Sequence, residues 1–124
     1  MQLSDQEFDA LITRAMDELP QEYITGLVNV VIVMADSPTD EQRKKMHIGH
    51  DLLLGLYEGI PLPKRGNGWS GMIPDKITLF KNEILAASHT EGELFQQVKR
   101  TLWHEMAHYY GLSHDEMDAL QGSS

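Results

Sequence analysis

Residues 90–114 read TEGELFQQVKRTLWHEMAHYYGLSH, and the rest of the chain is best read outward from them. Thr90 is followed three positions later by Glu93, the capping-box spacing in which two side chains satisfy backbone N–H groups of a helix's first turn. Leu94, Phe95, Val98, Leu102 and Met106 then recur at helical spacing as one apolar stripe. Gly111 suits the residue just past a helix end, because without a Cβ it adopts the left-handed conformation freely. The spacing predicts a helix of about twenty residues that stops at Gly111.

That helix carries His104 and His108. Side chains four apart lie one turn above the other on the same face. Two imidazoles so placed can hold one zinc ion at the usual zinc–nitrogen distance of about 2.0–2.1 Å. Glu105 is rotated about 100° from His104, so it flanks the ion and can take a proton from a metal-activated water as general base. A sharp turn at Gly111 returns the chain, with His114 as third ligand. Three histidines leave a fourth position for water, the catalytic rather than the structural arrangement. Asp115 is the alternative third ligand. Five such fixed positions coincide by chance on the order of once in ten thousand sequences of this length. The residues thus point to a metallopeptidase-type site with one Zn2+.

Elsewhere the chain alternates helical and extended patterns. Ser4 to Leu19 is amphipathic, has a Ser4/Glu7 capping box with Leu3 set to staple against Phe8, and stops at Pro20; it is expected to cover a sheet. Leu27 to Met34 is rich in β-branched residues and reads as a buried strand. Thr39 to Lys45 is a short helix or a loop. Leu52 to Tyr57 leans towards a strand, with Gly55 inside it. Gly59 to Pro74 is loop-like and contains Trp69. In Asp75 to Lys81, Ile77, Leu79 and Lys81 face one way and Lys76, Thr78 and Phe80 the other, which predicts a strand near a sheet edge. The tail after Leu120 is expected to fray.

Other polar residues take plainer readings. His47, His50 and His89 are expected at the surface. Asp115, Glu116 and Asp118 read as surface carboxylates, one of which could orient a ligand imidazole. Ser113-His114-Asp115 has triad residue types, but adjacent positions cannot make the spatial relay. Tyr57, Tyr109 and Tyr110 are alternatives for stabilising a developing oxyanion.

The bulk numbers set limits. A chain of 124 residues with 41% hydrophobic content can fill one core, so residues 1–124 are expected to form a single domain. No cysteine is present, which excludes disulfides, thiolate zinc fingers and cysteine nucleophiles. A net charge of −9 disfavours nucleic acid as a partner. The acidic start lacks the basic and apolar regions of a signal peptide, and the longest apolar run is too short to span a bilayer. The expectation is a cytoplasmic, membrane-free protein, monomer favoured.

The HExxHxxGxxH spacing resembles the zincin superfamily and its metzincin branch. More of the chain resembles the small bacterial minimal zincin-like metallopeptidase family: residues 28–33 (VNVVIV), residues 53–61 (LLGLYEGIP), residues 74–80 (PDKITLF) and the helix through Gly111. The resemblance implies an α+β fold, a small mixed sheet packed on an N-terminal helix and an active-site helix. It implies zinc ligands at His104 and His108 and a general base at Glu105. It also implies that an edge strand pairs with an extended peptide or protein substrate, for which Ile77, Thr78, Leu79 and Phe80 are the candidates. Two departures stand out: the family often has an acidic residue where this chain has His114, and the downstream methionine turn of true metzincins has no equivalent, Met117 lying too close. Two functions follow for testing, a zinc peptidase and a non-catalytic binding or regulatory module on a zinc-stabilised scaffold.

Overall fold

A computed structural model describes residues 2–49, 51–66, 69 and 73–122, except the side chains at 114, 118, 121 and 122. The expectation for His50 lies outside the described residues. The chain begins with α1 (Asp5–Glu18), whose Ser4/Glu7 capping box forms as expected, and continues through the short α2 (Gln21–Thr25) into strand β1 (Val30–Ala35). Thr39 and Gln42 form a second capping box, so the segment after it is a helix, α3 (Asp40–Lys45), and not a loop. Strand β2 (Gly55–Glu58), a 3-10 turn (Leu62–Lys64), strand β3 (Asp75–Phe80) and α4 (Lys81–Ala86) follow. The long α5 (Glu91–Tyr110) starts at a Thr90/Glu93 capping box, and α6 (His114–Gly122) comes last.

This is an α+β fold with a three-stranded mixed sheet in the order β1-β3-β2. β1 runs parallel to β3, Val30 opposite Asp75 and Ala35 opposite Phe80. β2 runs antiparallel to β3, with Gly55 opposite Leu79 and Glu58 opposite Lys76. β3 is therefore the central strand, which corrects the edge position expected from its two unlike faces. Both of its edges are hydrogen-bonded, so Ile77, Thr78, Leu79 and Phe80 cannot pair with a peptide. All four are buried as well. Alternation misled here because Thr78 and Phe80, on the second face, are covered although one is polar; Lys76 at the strand's start is exposed.

The core gathers on the other face of the sheet. Phe8, Ile12 and Ala15 of α1 pack with Leu94, Phe95, Val98, Leu102, Trp103 and Met106 of α5, together with Ile77, Leu79 and Ile84. The expected stripe of α5 is thus the centre of the molecule. α1 lies mainly along α5 and reaches the sheet through the shared cluster. Among the described residues no helix is long and apolar enough to cross a membrane.

A central β3 makes a quantitative prediction. Leu79→Ala removes a fully buried side chain and is expected to cost about 2–5 kcal/mol in a urea unfolding titration. Val33→Ala, on the β1 edge and 38% exposed, is expected to cost about 1 kcal/mol or less. Equal losses would contradict the strand order.

Candidate metal centre

α5 brings His104, Glu105 and His108 together. One nitrogen or oxygen atom from each lies within 4.8 Å of the other two, and the imidazole rings are 4.6 Å apart, centre to centre. Both histidines are half-buried at the surface of the helix. Glu105 is 5% exposed, and its Oε1 stands 3.3 Å from Nδ1 of His108. The hydrogen bond to Glu105 holds the His108 pKa above the usual imidazole value, against the opposing effect of burial. Asp115 is exposed and is not part of this donor group. The side chain of His114 lies outside the described residues; its backbone opens α6, four positions beyond the end of α5.

The turn between the two helices is closely specified. Gly111 has φ 72°. The Leu112 amide donates to the Ala107 carbonyl and the Gly111 amide to the His108 carbonyl, a Schellman closure of α5. A Cβ on Gly111 would stand 2.7 Å from Cγ of Pro63, so the 3-10 turn packs directly on the helix end. Ser113 then caps α6: its hydroxyl accepts from the Glu116 amide, and Glu116 accepts from the Ser113 amide. These bonds keep the Glu116 carboxyl below its ordinary pKa, and they account for Ser113 and Glu116 structurally.

On its other side the cluster is pressed against β2. A Cβ on Gly55 would lie 2.6 Å from Cγ2 of Thr101 and 3.3 Å from Cγ of Glu105. The first distance is not sterically tolerable, so the strand meets the helix only because residue 55 has no side chain. Gly55 and Thr101 were not singled out from sequence. The available signal was a glycine inside a strand pattern, which often marks a close backbone approach.

A buried polar network braces the neighbouring wall. The Arg65 guanidinium pairs with Asp75 at 2.6 Å, both side chains being at most 5% exposed, and it also donates to the carbonyls of Ile60 and Val28. It lies over the rings of Trp69 and Tyr109. The Tyr57 hydroxyl donates to Asp75. Burial first, and then this hydrogen bond, push the Tyr57 pKa up. Tyr109 accepts from the Val28 amide at 3.0 Å and donates to the Gly26 carbonyl, and Tyr110 donates to the Tyr23 carbonyl at 2.5 Å. The three tyrosines considered for oxyanion stabilisation all have their hydroxyl protons committed elsewhere. Arg65 and Asp75 were missed from sequence because they stand ten positions apart with no periodic pattern joining them.

Two hollows flank the cluster. One, of about 290 Å3, is lined by Leu53, Leu54, Gly55, Arg100, His104 and Glu105 among others. The other, of about 470 Å3, includes Tyr57, Pro61, Pro63, Lys64, His108 and Leu112. β2 links them, contributing Gly55 to the first and Tyr57 to the second. Ile77 to Phe80 line neither.

The network predicts two effects on stability. Arg65→Ala leaves Asp75 buried without its cation and is expected to cost about 3–5 kcal/mol in chemical unfolding. The second concerns pH. Burial foremost raises the Tyr110 pKa to about 12, and Tyr57 is also raised, so both hold their protons more tightly folded than unfolded. Their contribution is complete below the unfolded value of about 10 and is lost as pH rises towards the folded values. Unfolding titrations should show a decline beginning above about pH 10, with Tyr57→Phe removing part of it; a flat profile there would contradict the assignment.

Comparison with known proteins places these features. The chain is similar over 98% of its length to the solved structure of a conserved hypothetical protein from Thermo thermophilus, all of which is covered, at 20% identity and a TM-score of 0.58. That likeness concerns the fold. No curated protein matches the chain. The family model described as zincin-like metallopeptidase matches residues 27–123, which take in the whole sheet and both helices around the His104–Glu105–His108 cluster. The chain belongs to the zincin-like metallopeptidase family.

Proposed function

We propose that this protein is a zinc-dependent metallopeptidase, with His104, His108 and His114 as ligands of one Zn2+ and Glu105 as general base. The observation that carries the reading is the convergence of two imidazoles and a buried carboxylate on one face of α5. The donor set fits zinc: the imidazole nitrogens are ordinary ligands, and the carboxylate beside the first histidine has no use in a purely structural site. Family membership supports the same reading.

When bound, the zinc supplies Lewis acidity that polarises the scissile carbonyl and lowers the pKa of water. The remaining work falls to the chain. Glu105 accepts a proton from the attacking water and delivers it to the leaving amine nitrogen as the C–N bond breaks. Its packing against Gly55 and Thr101 restricts the rotamers it can sample. The free edge of β2, in place of β3, offers backbone groups to an extended peptide lying between the two hollows.

The test combines metal analysis with turnover on untagged protein. One equivalent of zinc is expected in the wild type and loss of tight binding in His108→Ala. Glu105→Gln should keep the zinc and lose about 100- to 10,000-fold in peptide hydrolysis. Equal cleavage by Glu105→Gln and wild type would defeat the mechanism. Retained zinc with no turnover on any peptide, and a melting temperature lowered by chelation, would favour the non-catalytic module instead.

A further inference from the structure

Each of the two hollows beside the metal cluster is lined by a basic side chain, in a protein that is acidic as a whole. Acids outnumber Lys and Arg by 19 to 10. Six of the ten cations are paired with carboxylates: Arg14, Arg43, Arg65, Lys76, Lys81 and Lys99. The other four, Lys44, Lys45, Lys64 and Arg100, have no carboxylate partner among the described residues; Lys64 lines one hollow beside the metal cluster, and Arg100 lines the other as well as two further hollows that include Glu18 and Glu93. Among the described residues, Glu105 is the only acidic one lining either hollow beside the cluster.

Their placement follows the helix. Arg100 precedes His104 by four residues and His108 by eight, so the three share one face of α5, spread over about 12 Å. Lys64 lies beyond His108, at the end of the 3-10 turn whose Pro63 packs on Gly111. The order along the groove is cation, metal cluster, cation. An extended chain advances about 3.3 Å per residue, so about four residues cover the distance from Arg100 to His108. A basic side chain at each end of a concave surface attracts acidic groups locally, even in a protein that is acidic as a whole.

We infer that this groove selects acidic peptides, with an Asp or Glu side chain within about three residues on each side of the scissile bond, one facing Arg100 and the other facing Lys64. The inference rests on the peptidase reading for the position of the bond, but the charge preference belongs to the groove itself. An exposed ion pair contributes only a few-fold. Replacing the cation by a carboxylate removes the pair and adds a repulsion, so each reversal should weaken an acidic substrate about tenfold.

Zinc-loaded full-length protein and the Arg100→Glu, Lys64→Glu and Lys44→Glu variants would be profiled on an unbiased peptide mixture by mass spectrometry. The wild type is expected to cleave between flanking Asp or Glu residues. Arg100→Glu and Lys64→Glu should each lower kcat/KM on those peptides about tenfold and move the preference on one side towards Lys or Arg. Lys44→Glu, on α3, should leave the profile unchanged. Wild-type cleavage without acidic enrichment, or reversals that leave the profile unaltered, would overturn the inference while the peptidase reading stood. If the wild type cleaves nothing, fluorescence anisotropy with Glu105→Gln decides. Tighter binding of a labelled Asp/Glu peptide than of its Asn/Gln counterpart, abolished by adding either reversal, upholds the preference without the peptidase. Equal binding, or none, overturns it.

Discussion

The backbone of β2 touches α5 at Gly55, where a single methyl group would collide with Thr101 and crowd Glu105. That contact sets how closely β2 approaches the Glu105 carboxylate. It also explains why an acidic side chain in the middle of a helix is 5% exposed yet still within 3.3 Å of His108. Around the other end of the helix the same role falls to Gly111, against which Pro63 packs. Two glycines thus bring two segments of backbone against α5, and the side chains of the candidate centre occupy the space between.

α5 has two jobs, separated by face. Leu94, Val98, Leu102 and Met106 anchor it in the core, while Arg100, His104 and His108 look outward. A helix buried along one side cannot rotate or slide without exposing that stripe, so the hydrophobic effect that stabilises the fold also fixes the relative placement of the histidines. The Arg65–Asp75–Tyr57 network does the equivalent for the loop wall. It trades desolvation of two charges for directional bonds to the loop, to β3 and to the chain entering β1.

Much of this was legible in the residues. The Ser4/Glu7 and Thr90/Glu93 capping boxes, the apolar stripe and Gly111 are local signals, and the two helices they mark are where the spacing put them; Thr39 to Lys45, whose sequence allows helix or loop, is a helix. The strand order was not legible, because it depends on which long-range pairs form. The unlike faces of Asp75 to Lys81 suggested an edge strand, whereas Thr78 and Phe80 on the second face are buried and Asp75 is buried in its pair with Arg65. The tyrosines could not be sorted from sequence for the same reason: the groups that occupy their hydroxyls are up to 87 positions away. The basic side chains beside the cluster were hidden by averaging, since a net −9 says nothing of where individual cations lie.

The most direct measurement is anomalous diffraction at the zinc edge from crystals of the zinc-loaded chain. The account predicts one peak between the His104 and His108 imidazoles, at about 2.0–2.1 Å from a nitrogen of each, with the Glu105 carboxylate nearby but outside the coordination sphere. A peak elsewhere, or zinc ligated by Glu105 itself, would contradict it.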